Sequence, residues 1–212
     1  MTACTGVGTG ALACAPATTS GATPNAYGIA VSGSYAYVTD FSGTVTACTG
    51  VGTGALACAP ATTSGVTPRA YGIAVSGSYA YVTSGGSNST VYACTGVGTG
   101  TLACTAATTS GATPNAYGIA VSGSYVYVTN DVSGLVNACT GVGTGTLACA
   151  PATTSGATPK AYGIAVSGSY AYVTDSSGGT VNACSGVGTG TLACDPATTS
   201  GATPNAAGIA VS

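Results

Sequence analysis

The chain has 212 residues and only six charged side chains, two basic and four acidic, which give a net charge of −2. Two scattered cations cannot form the basic surface that a phosphate backbone needs, so the composition argues against a nucleic acid partner. The longest apolar runs are four or five residues, far short of the roughly 20 that span a bilayer, so no membrane insertion is expected. Regularly spaced Ile, Val, Leu and 13 Tyr indicate a buried core and a folded chain.

The sequence is built from one unit written five times. The segment Ala-Cys-Thr-Gly-Val-Gly-Thr-Gly begins at Ala3 and recurs, with small changes, at Ala47, Ala93, Ala138 and Ala183, a period of 44 to 46 residues. We divide the chain as a single repeat domain: a partial blade 1–26, repeats 27–70, 71–116, 117–161 and 162–206, and a terminal strand 207–212. Such a period is typical of propeller blades, whose sheets bury their faces against neighbouring repeats.

Each repeat predicts four short strands, bounded by Gly, Ser and Pro. In the second full repeat they are strand A (Tyr71–Ser76), strand B (Tyr79–Thr83), strand C (Val91–Thr95) and strand D (Thr101–Cys104). Tyr71, Ile73 and Val75 alternate with small residues, as a strand with one buried face requires. The predicted fold class is all-β, a β-propeller of about five four-stranded blades, and the alternative is an open β-repeat array or fibre.

The strand sequences resemble a known family. Gly-Ile-Ala-Val in strand A and Tyr127-Val128-Thr129-Asn130 in strand B are similar to the YVTN-type β-propeller repeats of bacterial secreted and surface proteins, and to the related NHL repeats. The resemblance covers nearly the whole chain in tandem and implies a propeller. It implies no single function, because propellers of this type include lactonases, lectins and scaffolds.

Strands A, C and D occur five times in the sequence, but strand B occurs four times. We therefore expect one sheet edge without its partner, and such edges readily add another strand. Self-association through these unpaired terminal strands is predicted. Continuation beyond Ser212, a strand from a neighbouring subunit and an open array stay open as explanations. No leader follows Met1, so we expect either a removed leader or a fragment.

Ten cysteines form five pairs with a fixed spacing: Cys4 with Cys14, Cys48 with Cys58, Cys94 with Cys104, Cys139 with Cys149, and Cys184 with Cys194. A glycine-rich loop such as Gly52-Thr53-Gly54 lies between the two members of each pair. A tight hairpin with that loop places both sulfurs on one sheet face, so five cross-strand disulfides are predicted. The spacing does not suit zinc. Disulfides indicate an oxidising compartment, here extracellular or at the cell surface.

Variation among the repeats is concentrated in two connections. The B–C loops differ in length and sequence, and the residue after the proline of the D–A loop changes from repeat to repeat. In a propeller these connections open onto one face, which is therefore the candidate binding face, although loops also tolerate change without a function. Its residues are Asn25, Asp40, Arg69, Asn115, Asn130, Asp131, Lys160, Asp175 and Asn205.

The sequence offers little catalytic chemistry. There is no His to activate a Ser or Thr nucleophile, and the four aspartates occupy non-equivalent positions. We therefore predict that the chain is not an enzyme and that it holds no cofactor. Asp40, Asp131 and Asp175 could share calcium with loop carbonyls, but Asp at a turn usually bonds locally, so no metal is predicted.

Hydroxyl-rich segments near proline are typical O-glycan acceptors, which makes Thr18, Thr19 and Thr23 candidate glycosylation sites. Asn88 begins a formal N-glycosylation sequon. The predicted function is an extracellular structural or adhesive repeat protein, with a glycosylated subunit of a fibril or surface assembly as one form. The alternative is a lectin-like or protein-binding propeller that uses the loop face, so a glycan is a candidate partner.

Overall fold

The structure, a computed structural model, describes residues 2–5, 13–20, 25–64, 69–85, 89–110, 113, 115–155, 159–197 and 207–211. These residues form 22 strands, and none of them belongs to a helix that is long and apolar enough to cross a membrane. A two-stranded sheet comes first, and four sheets of one common design follow it along the chain. The repeated sequence therefore becomes a repeated sheet.

The four larger sheets are blades I to IV. The strands before them are β1 (Thr2–Thr5) and β2 (Ala13–Pro16). Blade I contains β3 (Thr18–Ser20), β4 (Ala26–Ser32), β5 (Tyr35–Asp40), β6 (Val45–Thr49) and β7 (Leu56–Pro60). Blade II contains β8 (Thr62–Ser64), β9 (Ala70–Ser76), β10 (Tyr79–Ser84), β11 (Val91–Thr95) and β12 (Leu102–Ala106). Blade III contains β13 (Thr108–Ser110), β14 (Ala116–Ser122), β15 (Tyr125–Asn130), β16 (Val136–Thr140) and β17 (Leu147–Pro151). Blade IV contains β18 (Thr153–Ser155), β19 (Ala161–Ser167), β20 (Tyr170–Asp175), β21 (Thr180–Ser185) and β22 (Leu192–Pro196).

Four strands of each blade form an antiparallel meander that runs outward from the centre. The first turn of the meander is tight because Gly33 and its equivalents adopt a positive φ, 57° at Gly33, which glycine accepts readily. The innermost strands β4, β9, β14 and β19 contact one another in succession. Together with residues 207–210 they line a central channel of about 260 Å³. This is the architecture of a β-propeller.

Each blade also receives its outermost strand from the preceding repeat. In blade II this strand is β8, which pairs in parallel with β12. Ala61, fully buried before β8, links the two blades, because its N–H donates to Val45 O in blade I and its carbonyl accepts from Leu102 N in blade II. Ala107 and Ala152 make the equivalent pairs of bonds. A small residue is needed at this crossing because it lies between two packed sheets.

The prediction of about five blades is wrong, since the structure contains four. The strands β1 and β2 form a separate two-stranded sheet. Residues 207–211 extend beside β19, where the carbonyl oxygen of Ala207 lies close to Gly163. Among the described residues no strand joins these two pieces, and neither piece has beside it a strand B of the kind that links innermost and outer strands within blades I to IV. Counting cysteine hairpins overestimated the number of blades.

The core lies between blades. Between blades II and III, Tyr81 and Val91 of blade II pack with Val126, Val128 and Leu147 of blade III. These five side chains are essentially inaccessible to solvent. The buried hydroxyl of Tyr81 accepts a hydrogen bond from Gly143 N at 2.7 Å, so a polar group is satisfied inside an apolar interface. Tyr37 and Tyr127 make the same bond to Gly98 and Gly188 at the other two junctions.

A threonine hydroxyl fastens the inner strands. Thr83 Oγ1 accepts from Gly72 N at 2.8 Å and donates to Tyr117 O of the next blade at 2.6 Å. Gly72 has no space for a side chain, because a Cβ there would lie 2.6 Å from Tyr117 O and 3.0 Å from a methyl carbon of Ile119. Glycine at this position therefore allows two blades to approach within hydrogen-bonding distance near the channel.

Replacing Gly72 with Ala should force β9 and β14 apart and lower the free energy of unfolding by roughly 1 to 3 kcal/mol, as overpacked cores do. Gly208→Ala is the matched control, since Gly208 occupies the same repeat position and a Cβ there meets nothing within 4 Å. Urea unfolding followed by tyrosine fluorescence measures both. Equal midpoints for the two variants would contradict the close-approach explanation.

The five predicted disulfides are present, with S–S distances of 2.00 to 2.07 Å. Each joins directly opposed residues of two adjacent strands, as Cys139 and Cys149 do in β16 and β17. No free cysteine occurs among the described residues. The disulfides point to an oxidising compartment.

Cys139→Ala combined with Cys149→Ala should cost about 3 kcal/mol of unfolding free energy, the loop-closure entropy of an 11-residue ring. Cys4→Ala with Cys14→Ala opens a ring of the same length outside the four blades. We expect a smaller change in the main transition for that second pair, because β1 and β2 pair with no blade strand among the described residues. Calorimetry would refute this if both pairs lowered the main transition equally.

Candidate functional site

The B–C and D–A connections meet at one end of every blade. Within each blade the residue after strand B donates its N–H to the carbonyl of the variable D–A residue, at distances of 3.0 to 3.3 Å. The four pairs are Phe41 with Asn25, Gly85 with Arg69, Asp131 with Asn115, and Ser176 with Lys160. The variable residues thus lie beside the variable loops, and we call this end of the molecule the loop face.

Three residues of the predicted binding face are buried within their own loops. Asp40, Asn130 and Asp175 end the second strand of the meander in blades I, III and IV, and each is less than 6% exposed. One side-chain oxygen of each accepts from the backbone of its B–C loop: Asp40 from Ser42 at 2.7 Å, Asn130 from Val132 and Ser133 at 3.0 and 2.9 Å, and Asp175 from Ser177 at 2.9 Å. Their described contacts order the loops.

These bonds favour ionised aspartates. Hydrogen bonds from Ser42 hold the pKa of Asp40 below its ordinary value, although burial opposes them. At Asp175 burial is the largest effect and raises the pKa, but the bonds from Ser177 and neighbouring amides together outweigh it and leave the pKa lowered. A lowered folded-state pKa contributes stability above the unfolded value of 3.8, and that stability is lost as pH falls through the folded-state pKa.

Asp175→Asn should therefore weaken the loss of thermal stability between about pH 5 and pH 2.5, because it keeps an Oδ1 acceptor and removes the titrating charge. In blade III an asparagine, Asn130, already occupies the equivalent position, and its Oδ1 accepts a hydrogen bond from Val132 N. Asp131→Asn should do the opposite and steepen the loss, since burial raises the pKa of Asp131 and its neutral form is favoured in the fold. Melting temperatures across this pH range test both signs, and identical slopes in all three proteins would refute them.

Aromatic side chains cover the channel at the loop face. The second residue of each innermost strand is a tyrosine, namely Tyr27, Tyr71, Tyr117 and Tyr162. The Tyr71 and Tyr117 rings stack at 4.2 Å between centroids. The hydroxyl of Tyr162 donates to that of Tyr117. Burial is the main cause that raises the pKa of Tyr117 above its ordinary value, and the hydrogen bond with Tyr162 raises the pKa further. Phe41 extends the cluster, with its ring 5.9 Å from that of Tyr27.

A polar crevice of about 210 Å³ opens beside these rings between blades II and III. It is lined by Arg69, Tyr71, Gly85, Asn115, Ala116, Tyr117 and Asp131. Gly85 leaves room for the Tyr71 ring, since any Cβ there would overlap it. Arg69 also lies over the Phe41 ring, with its guanidinium carbon 5.3 Å from the centroid. The crevice therefore combines a cation, a carboxyl group, an amide and two aromatic rings within one small volume.

The remaining predicted residues fall into three groups. Asn25 and Lys160 are exposed on the loop face, and Lys160 lines a second crevice with Tyr162, Ser176, Ser177 and Ala207. Thr18 and Thr19 lie in the outer strand β3, with side chains outside the description. Thr23, Asn88 and Asn205 lie outside the described residues. Among those described, no three Cys, Asp or Glu side chains gather in a metal-binding cluster.

The candidate site residues predicted from the sequence did not include the tyrosines at the start of the inner strands, Tyr27 and its equivalents. They occur at every second position together with Ile and Val, and this alternation predicted that they are buried in the core. In the structure, however, Tyr27 is 52% exposed. A signal was present, because each follows the variable D–A residue by only two positions, and the last repeat has Ala207 in place of Tyr.

Fold and repeats together define the class: the chain is a β-propeller repeat protein. The LVIVD repeat family matches four of its segments, residues 24–46, 69–88, 114–136 and 159–181. Each segment starts at or directly before a variable D–A residue and runs through the innermost strand and strand B of one blade. The YVTN-type resemblance stays a prediction. A search of curated protein sequences finds no match.

Solved structures share the fold at low sequence identity. A protein from Lactobacillus plantarum is 20% identical, with a TM-score of 0.66, and the match covers 92% of this chain and 62% of that one. The periplasmic gluconolactonase of Pseudomonas aeruginosa is 18% identical, with a TM-score of 0.59 and coverage of 84% and 58%. The computationally designed Ika4 protein is 13% identical, with a TM-score of 0.53 and coverage of 80% and 96%. The chain spans about three fifths of the length of each of the two natural proteins.

The gluconolactonase corrects the expectation that the chain is not an enzyme. That expectation depended on a missing His and scattered aspartates, but a propeller of this fold catalyses lactone chemistry in Pseudomonas aeruginosa. The fold therefore gives no argument against catalysis. At this identity the likeness shows the fold alone.

Proposed function

We propose that this protein is an extracellular adhesive β-propeller whose loop face binds carbohydrate. The observation that carries the proposal is the crevice between blades II and III, where Arg69, Asn115 and Asp131 surround the edges of two stacked tyrosines. Five disulfides support an oxidising, extracellular setting.

The chemistry of the crevice suits a sugar. A pyranose presents C–H groups on one face, which pack on an aromatic ring, and hydroxyls around its rim, which both donate and accept hydrogen bonds. Tyr71 and Tyr117 supply rings, Arg69 supplies donors, and Asp131 supplies an acceptor. The crevice is smaller than the usual 300 Å³ or more of a drug-sized ligand pocket, so we expect it to hold one sugar unit.

Weak single sites suffice for adhesion when several act together. Lys160 and Tyr162 line a related crevice at blade IV, with different polar neighbours. Sites held on one rigid face raise the effective concentration for a branched or repeating glycan. The differences between repeats at positions such as Arg69 and Lys160 would then select different sugar units.

Glycan-array binding by the whole protein tests this proposal. Arg69→Ala and Asp131→Ala should each weaken binding about tenfold to a hundredfold, the effect of losing one charge-assisted hydrogen bond. Asp195→Ala is the control, because Asp195 is an exposed charge on β22 of blade IV and lines neither crevice. Absence of binding to any glycan, or equal loss in all three variants, would overturn the proposal.

The same preparations should be assayed for hydrolysis of a sugar lactone. Turnover that disappears with Arg69→Ala and Asp131→Ala, but persists in Asp195→Ala, would make the crevice catalytic and would replace the adhesive proposal.

A structural role in a fibril or surface assembly is a second candidate. It is favoured by two apolar residues of the innermost strand β4, Ile29 and Val31, which are each 57% exposed on the side of blade I that faces away from blade II. Such side chains on a sheet face are common at contacts between chains.

A further inference from the structure

An apolar groove separates the β1–β2 hairpin from blade I. Its volume is about 390 Å³. One wall contains Ile29, Val31, Ala36, Leu56 and the loop glycines Gly50, Gly52 and Gly54, and the other contains Thr2, Cys4 and Ala17. The groove lies on the side of blade I that faces away from blade II, and it is distinct from the loop face.

The three junctions between blades show what normally covers this surface. At blade II, III and IV the residues equivalent to Ile29 are Ile73, Ile119 and Ile164, which are only 6 to 7% exposed. A tyrosine pair from the preceding blade covers each hairpin loop: Tyr35 contacts the position of Gly100, and Tyr37 accepts from Gly98 N. At blade I the corresponding amide belongs to Gly52, and no described tyrosine lies on it. The small cluster on this side contains blade I residues alone.

The hairpin also offers an open strand edge. Among the described residues β1 pairs with β2 and with no other strand. In blade II the equivalent strand β11 pairs on its other edge with β10, so that Ala80 lies opposite Cys94 and Tyr81 opposite Ala93. The same register on β1 would place an alanine opposite Cys4 and a tyrosine opposite Ala3. Open edges of this kind bind extended peptides through main-chain hydrogen bonds.

We propose that the groove is an acceptor site for an extended segment of a separate polypeptide with the sequence Tyr-Ala-Tyr-Val-Thr. The segment adds antiparallel to β1 and gives a three-stranded sheet. Its two tyrosines lie over the loop of blade I, and the second hydroxyl accepts from Gly52 N. Its alanine and valine point to the opposite side of the strand from the tyrosines, as alternation requires.

The occupant follows from the interfaces inside the protein. The junctions of blades I with II, II with III, and III with IV each fill the equivalent space with a Tyr-Ala-Tyr or Tyr-Val-Tyr strand. At each of those junctions the tyrosines pack on the loop glycines, leucine and isoleucine of the following blade. The groove contains the equivalent residues of blade I, which are the loop glycines, Leu56 and Ile29. No charged side chain lines it, which suits a segment whose core is uncharged.

Fluorescence anisotropy with a labelled peptide Gly-Ser-Tyr-Ala-Tyr-Val-Thr-Asp, the sequence of residues 33–40, tests the proposal on the whole protein. We expect saturable binding that falls at least tenfold when both peptide tyrosines are replaced by alanine. Ile29→Asp should weaken binding by a similar factor, and because Ile29 is exposed this variant should fold. Val132→Asp is the matched control, since Val132 is an exposed apolar residue, 67% accessible, in a loop of blade III.

Hydrogen exchange locates the bound peptide. Amides of residues 2–5 should exchange more slowly with peptide present, because an added strand bonds the open edge of β1. Absence of binding, equal binding to the wild-type and Ile29→Asp proteins, or protection elsewhere than β1 and blade I would overturn the proposal. Glycan binding by Ile29→Asp should be unchanged, so the two proposals fail independently.

Discussion

Each of the four blades has two apolar faces, and a single sheet can bury neither of them by itself. Contact between successive blades is therefore the condition for folding, and the repeated sequence encodes that contact several times. Near the channel a threonine hydroxyl bridges a glycine amide and the carbonyl of the next blade. Further out, a buried tyrosine bonds the next hairpin loop, and a buried alanine carries the chain across. The interface between two blades therefore has hydrogen bonds at three distances from the channel, and apolar side chains pack in the space between these bonds.

This constraint explains why the fold needs so few charged residues. The contacts that stabilise the fold are made between neutral groups of neighbouring blades, so the sequence of the loop face can vary without loss of those contacts. Asp40 and Asp175 are used to order their own loops, whereas Arg69, Asn115 and Asp131 converge on a crevice. The four equivalent backbone bonds between the loops keep the variable residues in matching positions. A change such as Asn to Arg or Lys therefore alters the chemistry of one crevice while the frame around it is retained.

The propeller class, the strand pattern and the disulfides could be predicted from the sequence because they depend on local alternation and on fixed spacing. The number of blades could not, since it depends on which strands find partners: β1 and β2 carry the blade sequence but form only a hairpin. The parallel outer strands were also missed. A three-residue Thr-Thr-Ser segment has no pattern of its own, and its pairing with the next repeat is decided by the buried alanine before it. The tyrosines at the channel were assigned to the core because alternation does not distinguish a buried ring from one at an open end.

The disulfide hairpins have a consequence for a chain held under tension. The two cysteines of each pair are separated by ten positions in the sequence, and the segment between them cannot lengthen while the sulfurs are joined. Each disulfide therefore shortens the fully extended chain by about 30 Å, given roughly 3.4 Å for each extended residue. A pulling force would pass through the sulfur atoms and bypass the glycine loops, so the loops that receive the tyrosines would keep their shape even where neighbouring strands had separated.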